Sequence, residues 1–309
     1  MAKFRDSAPD PSLVEVASAP TQGLPPGAIA EDHERSIGDY LADLRNLKPE
    51  QVERILQHQR QHGVRFGEAA VALGLASKED VLFALAQQFD YPYAAEDDRK
   101  LGPELVALND PFGERAEHFR SLRSQLMMRA FADVDTRRAL AFVSPDVSDG
   151  RTYCASNLAV ALAQLGGRTL LVDADLRGPR VHDIFRLSNR AGLSGILSGR
   201  SNHDTIAQVA AVPSLFVLPA GTTPPNPLEL VERAAFGHLM RELASKFDHV
   251  VVDTPAATRG ADASVIAARC GAAVLIARKD RSQFSALQEL VASFSGSPAK
   301  VAGVVFNER

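Results

Sequence analysis

The chain has no tryptophan, only two cysteines among 309 residues, and no apolar run near the ~18 residues that a membrane-spanning helix requires. Each absence closes a class. Cys154 and Cys270 are too few and too far apart for a disulfide framework or a multi-cysteine zinc site, which points to a reducing compartment and to two small buried apolar side chains. Positive charge is not in excess either. The 34 Lys and Arg residues against 38 Asp and Glu leave a formal charge of −4, so nucleic acid is not expected as a partner. The N-terminus has no basic segment running into an apolar one, as a secretory signal would. A cytoplasmic protein is expected, with any membrane association made through a partner.

What is present divides into segments. A hydrophobic content of 45% suffices for one full-sized α/β domain and a smaller unit. Residues 1–32 are rich in Pro, Ala and Ser and read as a disordered leader, because such a composition cannot bury enough apolar surface to offset its ordering entropy. Residues 33–95 read as a small helical domain that repeats at an offset of 29 residues: Ile37-Gly38 matches Phe66-Gly67, Leu41 matches Ala70, and Glu50, Val52, Leu56 and Gln59 match Glu79, Val81, Leu85 and Gln88. Residues 96–113 are charged and broken by Pro and Gly, as in a linker. From 114 to 309 an amphipathic helix with Phe119, Leu122, Leu126 and Met127 on one stripe precedes short β-branched runs at 139–143, 169–173, 214–218, 248–252, 272–277 and 300–305. Such runs, separated by helical patterns, predict strands buried on both faces. The fold class is therefore α/β: a doubly wound, mostly parallel sheet in a three-layer αβα arrangement, preceded by a small all-α domain.

The chemistry is read from three strand ends. The first strand enters Ser144-Pro-Asp-Val-Ser-Asp-Gly-Arg-Thr152, a loop that runs into an apolar helix. That is the context of a P-loop, where helix N-terminal N–H groups and the macrodipole favour phosphate. Gly150 and Thr152 match the pattern G-x-x-x-x-G-K-[ST], whereas Pro145 stands at the first glycine and Arg151 at the lysine. Arginine keeps the charge but is a broad planar fork rather than a compact ammonium. An ordinary βα turn with a solvated arginine is the competing reading. The second strand ends in Asp173-Ala-Asp-Leu-Arg177, with two carboxylates where the ligand crevice of such a sheet lies. Helix-capping aspartates are the alternative there. A later strand delivers Asp253 in Val250-Val-Val-Asp-Thr-Pro255, as in a Walker B element. Together they predict an ATP/ADP site with Ser148, Asp149, Gly150, Arg151, Thr152 and Tyr153 around the phosphates, and Mg²⁺ as the counter-ion that buried carboxylates need.

These motifs resemble the cytoplasmic bacterial tyrosine kinases of capsule and exopolysaccharide synthesis. The likeness runs from about Asp110 to Arg309 through Glu117, Arg120 and Arg123, through Val172-Asp-Ala-Asp-Leu-Arg177, Pro179, His182 and Phe185, then Asn189, Gly192-Leu-Ser194, and Leu218-Pro-Ala-Gly-Thr-Thr-Pro-Pro-Asn-Pro-Leu-Glu-Leu230. The resemblance implies Thr152 and Asp175 as Mg²⁺ ligands supported by Asp253, and Asp173 assisting deprotonation of an acceptor hydroxyl. It implies that Gly150 and Arg151 hold phosphate, so that Asp173, Asp175 and Arg151 form the catalytic set. It also implies a membrane chain-length determinant partner, and self-association through Glu117, Arg120 and Arg123, for which a salt-bridged helix face is the alternative. The family's tyrosine-rich tail is not matched: the tyrosines are Tyr40, Tyr91, Tyr93 and Tyr153, so an acceptor elsewhere is expected.

Residues 33–95 resemble the N-terminal domain of type II secretion and pilus ATPases, a relative of which binds cyclic di-GMP. The second copy fits that motif through Arg65, Phe66-Gly67, Gly74, Val81, Leu85 and Gln88, while the first has Ser36 and Arg45 at key positions. Cyclic di-GMP binding and protein docking both stay open. The whole reads as an ATP-dependent tyrosine kinase of polysaccharide assembly. A nucleotide-gated assembly subunit without turnover, or a partitioning-type ATPase, is the alternative; the latter needs an early loop lysine where Asp146 and Val147 stand.

Overall fold

The computed structural model describes residues 35–89, 101–131, 138–200 and 205–308. The leader expected over 1–32 lies outside them. Four helices come first: α1 (Ile37–Arg45), α2 (Pro49–His62), α3 (Phe66–Ala72) and α4 (Lys78–Gln88). The 29-residue offset carries the start of α1 onto α3 and of α2 onto α4. Reciprocal caps begin α1 and α4: the Asp39 N–H donates to Ser36 Oγ (3.3 Å) while Asp39 Oδ2 accepts from the Ser36 N–H (2.8 Å), and Ser77 and Asp80 repeat the pattern. Each copy then packs across the other, α1 on α4 and α2 on α3. Their shared core, Leu41, Ile55, Ala69, Ala70 and Ala84, places large residues of the first copy opposite small ones of the second. Gly67 is required by packing, since a Cβ there would collide with Val81 Cγ1. The glycine of the resembling motif thus has a structural use.

In the α/β part, α5 (Val106–Asn109) and α6 (Glu114–Arg129) precede β1 (Ala139–Val143), α7 (Arg151–Ala163), β2 (Thr169–Asp173), α8 (Val181–Ile184), α9 (Leu193–Leu197), β3 (Ala207–Gln208) and β4 (Leu215–Leu218). After these come α10 (Pro227–Glu232), α11 (Ala234–Lys246), β5 (His249–Asp253), a 3₁₀ turn (Ala257–Arg259), α12 (Asp262–Cys270), β6 (Gly271–Arg278), α13 (Phe284–Ser293) and β7 (Lys300–Asn307). The seven strands are ordered β3-β4-β2-β5-β1-β6-β7, and every pairing but β3 with β4 is parallel. The two-residue antiparallel β3 is too short to show in the sequence pattern.

Residues of β1, β2 and β5 are buried at every position, as expected of strands covered on both faces. Alternate side chains feed two separate cores. Ala139, Ala141 and Val143 face a layer holding Phe236, Met240, Ile266 and Leu287, while Leu140 and Phe142 face Leu158, Leu162, Phe119 and Leu126.

The linker expected over 96–113 is corrected where it is described. Leu105, Ala107 and Leu108 are buried in the second core. The segment is fastened to α7: Ala107 N–H donates to Asn157 Oδ1 (2.9 Å), Asn157 Nδ2 to Glu104 O (2.9 Å), and Gln164 Nε2 to Ala107 O (2.9 Å). Its charged, Pro- and Gly-containing flanks mask a short apolar stretch that packs into the second core.

Candidate functional site

Parallel pairing gathers the chemistry at one sheet edge. Phe142, near the end of β1, is in register with Asp253 of β5, and Asp253 is in register with Asp173 of β2. The loop after β1 therefore closes directly over two carboxylates from neighbouring strands. Its backbone is left-handed at Ser148 (φ 64°) and at Gly150 (φ 98°). Only glycine fits at 150, because a Cβ would also collide with Asn307 Nδ2. That amide, at the end of β7, donates to Asp149 O at 2.9 Å and pins the loop from across the sheet.

A cavity of about 370 Å³ opens over the N-terminus of α7, lined by Ser148, Gly150, Arg151, Thr152, Tyr153 and Asp175 among others. Five of the six expected phosphate-loop residues reach it. Asp149 turns inward instead, where it is fully buried, accepting from Asp146 N–H (2.9 Å) and Ser282 Oγ (3.2 Å). It shapes the loop rather than the cavity wall.

Arg151 lines the cavity but points much of its donor capacity back into the protein. Nε donates to Thr254 O (2.8 Å), and Nη1 donates to Asp146 O (2.8 Å) and to Ser144 Oγ. Three of a guanidinium's five N–H donors are thereby directed into the protein, two at the loop itself and one at the segment after β5. Its charge still acts locally, opposing the rise in the Asp253 pKa.

The carboxylates divide by role. Asp173 is fully buried, and its oxygens accept from Asp175 N–H (3.2 Å) and Val181 N–H (3.1 Å), so it holds the turn after β2. Burial, and next the neighbouring Asp253 charge, raise its pKa well above the usual carboxylate value. Asp253 is pushed up to about 7, chiefly by burial, against the opposing pull of Arg151 and of the Thr152 hydroxyl, which donates to Oδ2 at 2.6 Å. Its Oδ1 is buried without a hydrogen-bond partner among the described residues. Asp175 is the acid that faces the cavity, with Oδ1 taking the N–H groups of Arg177 (3.1 Å) and Gly178 (2.9 Å).

An orphaned carboxylate oxygen beside a hydroxyl and a cavity-facing acid is a donor set suited to a hard divalent cation. No cluster of three or more Asp, Glu, His or Cys side chains that could hold a metal occurs among the described residues. That is compatible with an ion completing its shell from phosphate and water, as Mg²⁺ does. The site residues missed in the sequence are Arg180, Arg259, Arg278 and Asn307, which also line the cavity. They come from four separate segments, and nothing in their local sequence announces them.

The arginines of α6 find partners within the chain. Arg120 Nε donates to Glu117 (2.8 Å) and Nη1 to Pro111 O, while Arg123 Nη1 donates to Ala161 O (2.7 Å) at the end of α7. No helix among the described residues is long and apolar enough to cross a membrane.

Comparison with known proteins places this geometry in context. The family described as cellulose biosynthesis protein BcsQ matches residues 147–293. A putative tyrosine-protein kinase, CapB of Staphylococcus aureus, is 32% identical over 205 residues, covering 66% of this chain and 89% of CapB. Tyrosine-protein kinase ptk of Acinetobacter johnsonii is 34% identical over 211 residues, and there the match covers 68% of this chain but only 28% of the relative. Among solved structures, the kinase domain of the Escherichia coli tyrosine kinase ETK superposes with a TM-score of 0.63 at 27% identity, covering 68% of this chain and 81% of that domain.

Proposed function

The chain belongs to the bacterial tyrosine-protein kinases, and from that premise we propose that it binds Mg²⁺-ATP at the β1–α7 loop and transfers phosphate to tyrosine in exopolysaccharide or capsule assembly. The observation that carries this is the strand register, which sets Asp253 beside Asp173 under the loop after β1, together with the Thr152 hydroxyl at the start of α7 bonded to Asp253. Thr152 and Asp175 would hold Mg²⁺ and Asp253 would support it. When bound, the ion neutralises phosphate charge. The helix N-terminus of α7 and the loop N–H groups orient the phosphates, and the buried Asp173 keeps Asp175 turned outward through the bond to its N–H. Of the three acids only Asp175 lines the cavity, while Asp173, expected to assist deprotonation of an acceptor hydroxyl, lies fully buried behind it.

We place the protein in the cytoplasm beside the inner membrane, with a membrane chain-length determinant as partner. Self-association through Glu117, Arg120 and Arg123 requires those side chains to exchange internal partners for external ones. The helical module serves as a docking unit, with cyclic di-GMP as the small-molecule ligand to test there. Incubating the purified protein with labelled ATP and Mg²⁺ decides the main reading: label on tyrosine, lost in Asp175→Ala, supports a kinase. Arg151 favours a second reading, a nucleotide-gated assembly subunit, because its guanidinium is engaged with the loop. Nucleotide binding without transfer in the same assay would establish that one.

A further inference from the structure

The cavity is ringed by arginines, and their commitments differ. Arg151 bonds the loop. Arg177, which does not line the cavity, is held by Asp262, with Nε 3.1 Å and Nη2 3.0 Å from its carboxylate, and a Cβ at Gly260 would intrude on that pair. Arg180 pairs with Glu104 at 2.9 Å, and Arg278 donates to Ser148 O at 3.2 Å. Arg259 is exposed, lines the cavity, and makes no side-chain hydrogen bond or ion pair among the described residues.

Its backbone is anchored where its side chain is not. The turn that carries it is fastened to the first residues of the phosphate loop, Ala257 N–H to Ser144 O (3.0 Å) and Thr258 N–H to Pro145 O (3.0 Å). Arg151 adds a third tie by bonding Thr254 O in the same segment. Arg259 Nη1 lies beside Gly178, where an added Cβ would sit 3.4 Å from it, and the Gly178 N–H donates to the cavity-lining Asp175. It is a cation with spare donors, set on a base rigidly joined to the phosphate grip.

We propose that Arg259 contacts the terminal phosphate of a bound nucleoside triphosphate, supplying from the turn after β5 the charge that Arg151 directs into the loop. The inference rests on the nucleotide-binding reading of this site. An arginine donated in cis to the γ-phosphate is a known solution in phosphoryl-transfer proteins. A planar fork suits the oxygens of a terminal phosphate better than the crowded β position.

The test is a calorimetric titration of the full chain with Mg²⁺ and either ADP or a non-hydrolysable ATP analogue. Arg259→Ala should weaken the triphosphate about tenfold or more while leaving ADP within about twofold, and Arg259→Lys should recover part of the loss. Retained ADP binding also reports an intact fold. Equal losses for both nucleotides, or none for either, would overturn the assignment. If the unaltered protein binds neither nucleotide, the nucleotide reading itself falls and this inference with it.

Discussion

An ammonium and a guanidinium carry the same charge, but they distribute it over different numbers of donors. At position 151 that difference decides where the side chain looks. Arg151 satisfies Thr254 O, Asp146 O and Ser144 Oγ at once, a set that a three-donor ammonium on a flexible stem cannot match in one orientation. Arg151→Lys should therefore lose about 1–3 kcal/mol of stability, since buried acceptors are left unpaired. It should also raise ATP turnover, because the ammonium is released toward phosphate. Denaturant unfolding and labelled-ATP turnover check the two halves. A variant that is both as stable and as slow as the parent would show that the internal bonds carry no weight.

Among the elements, those read correctly in the sequence are the ones with strong two-sided burial. β1 and β2 fall at the expected residues because an uninterrupted apolar run has no other stable place in a three-layer fold. α5 is hidden by its surroundings: Leu105, Ala107 and Leu108 sit among acidic residues, Pro103 and Gly102, whose composition dominates the local pattern. A linker would tolerate truncation of Leu108. The packed segment should not, and Leu108→Ala is expected to cost about 2–4 kcal/mol in denaturant unfolding. Site residues follow the same division. Asp173, Asp175 and Asp253 are legible because each ends or follows a strand. Arg259 and Asn307 are not, since their relation to the loop arises only when distant segments meet.

For the molecule as a whole, the acids under the loop tie stability to pH. Burial lifts Asp253 from 3.8 to about 7 and raises Asp173 as well. The folded chain thus keeps protons that the unfolded chain has released, so this contribution favours folding fully below 3.8 and is lost as pH rises through about 7. In chelator, with no divalent ion present, Asp253→Asn should raise the melting temperature at pH 8 more than at pH 5. The effect is on the order of 2–4 kcal/mol, read by thermal denaturation at the two pH values. A larger gain at pH 5 would reverse the sign and discard the account. The bond from Asn307 to Asp149 has a different kind of consequence. It spans 158 positions, from the phosphate loop to the end of β7. A growing polypeptide on the ribosome makes the loop long before it makes the amide that locks it. The shape of the loop is thus completed late, once β7 has joined the sheet and brought Asn307 to Asp149.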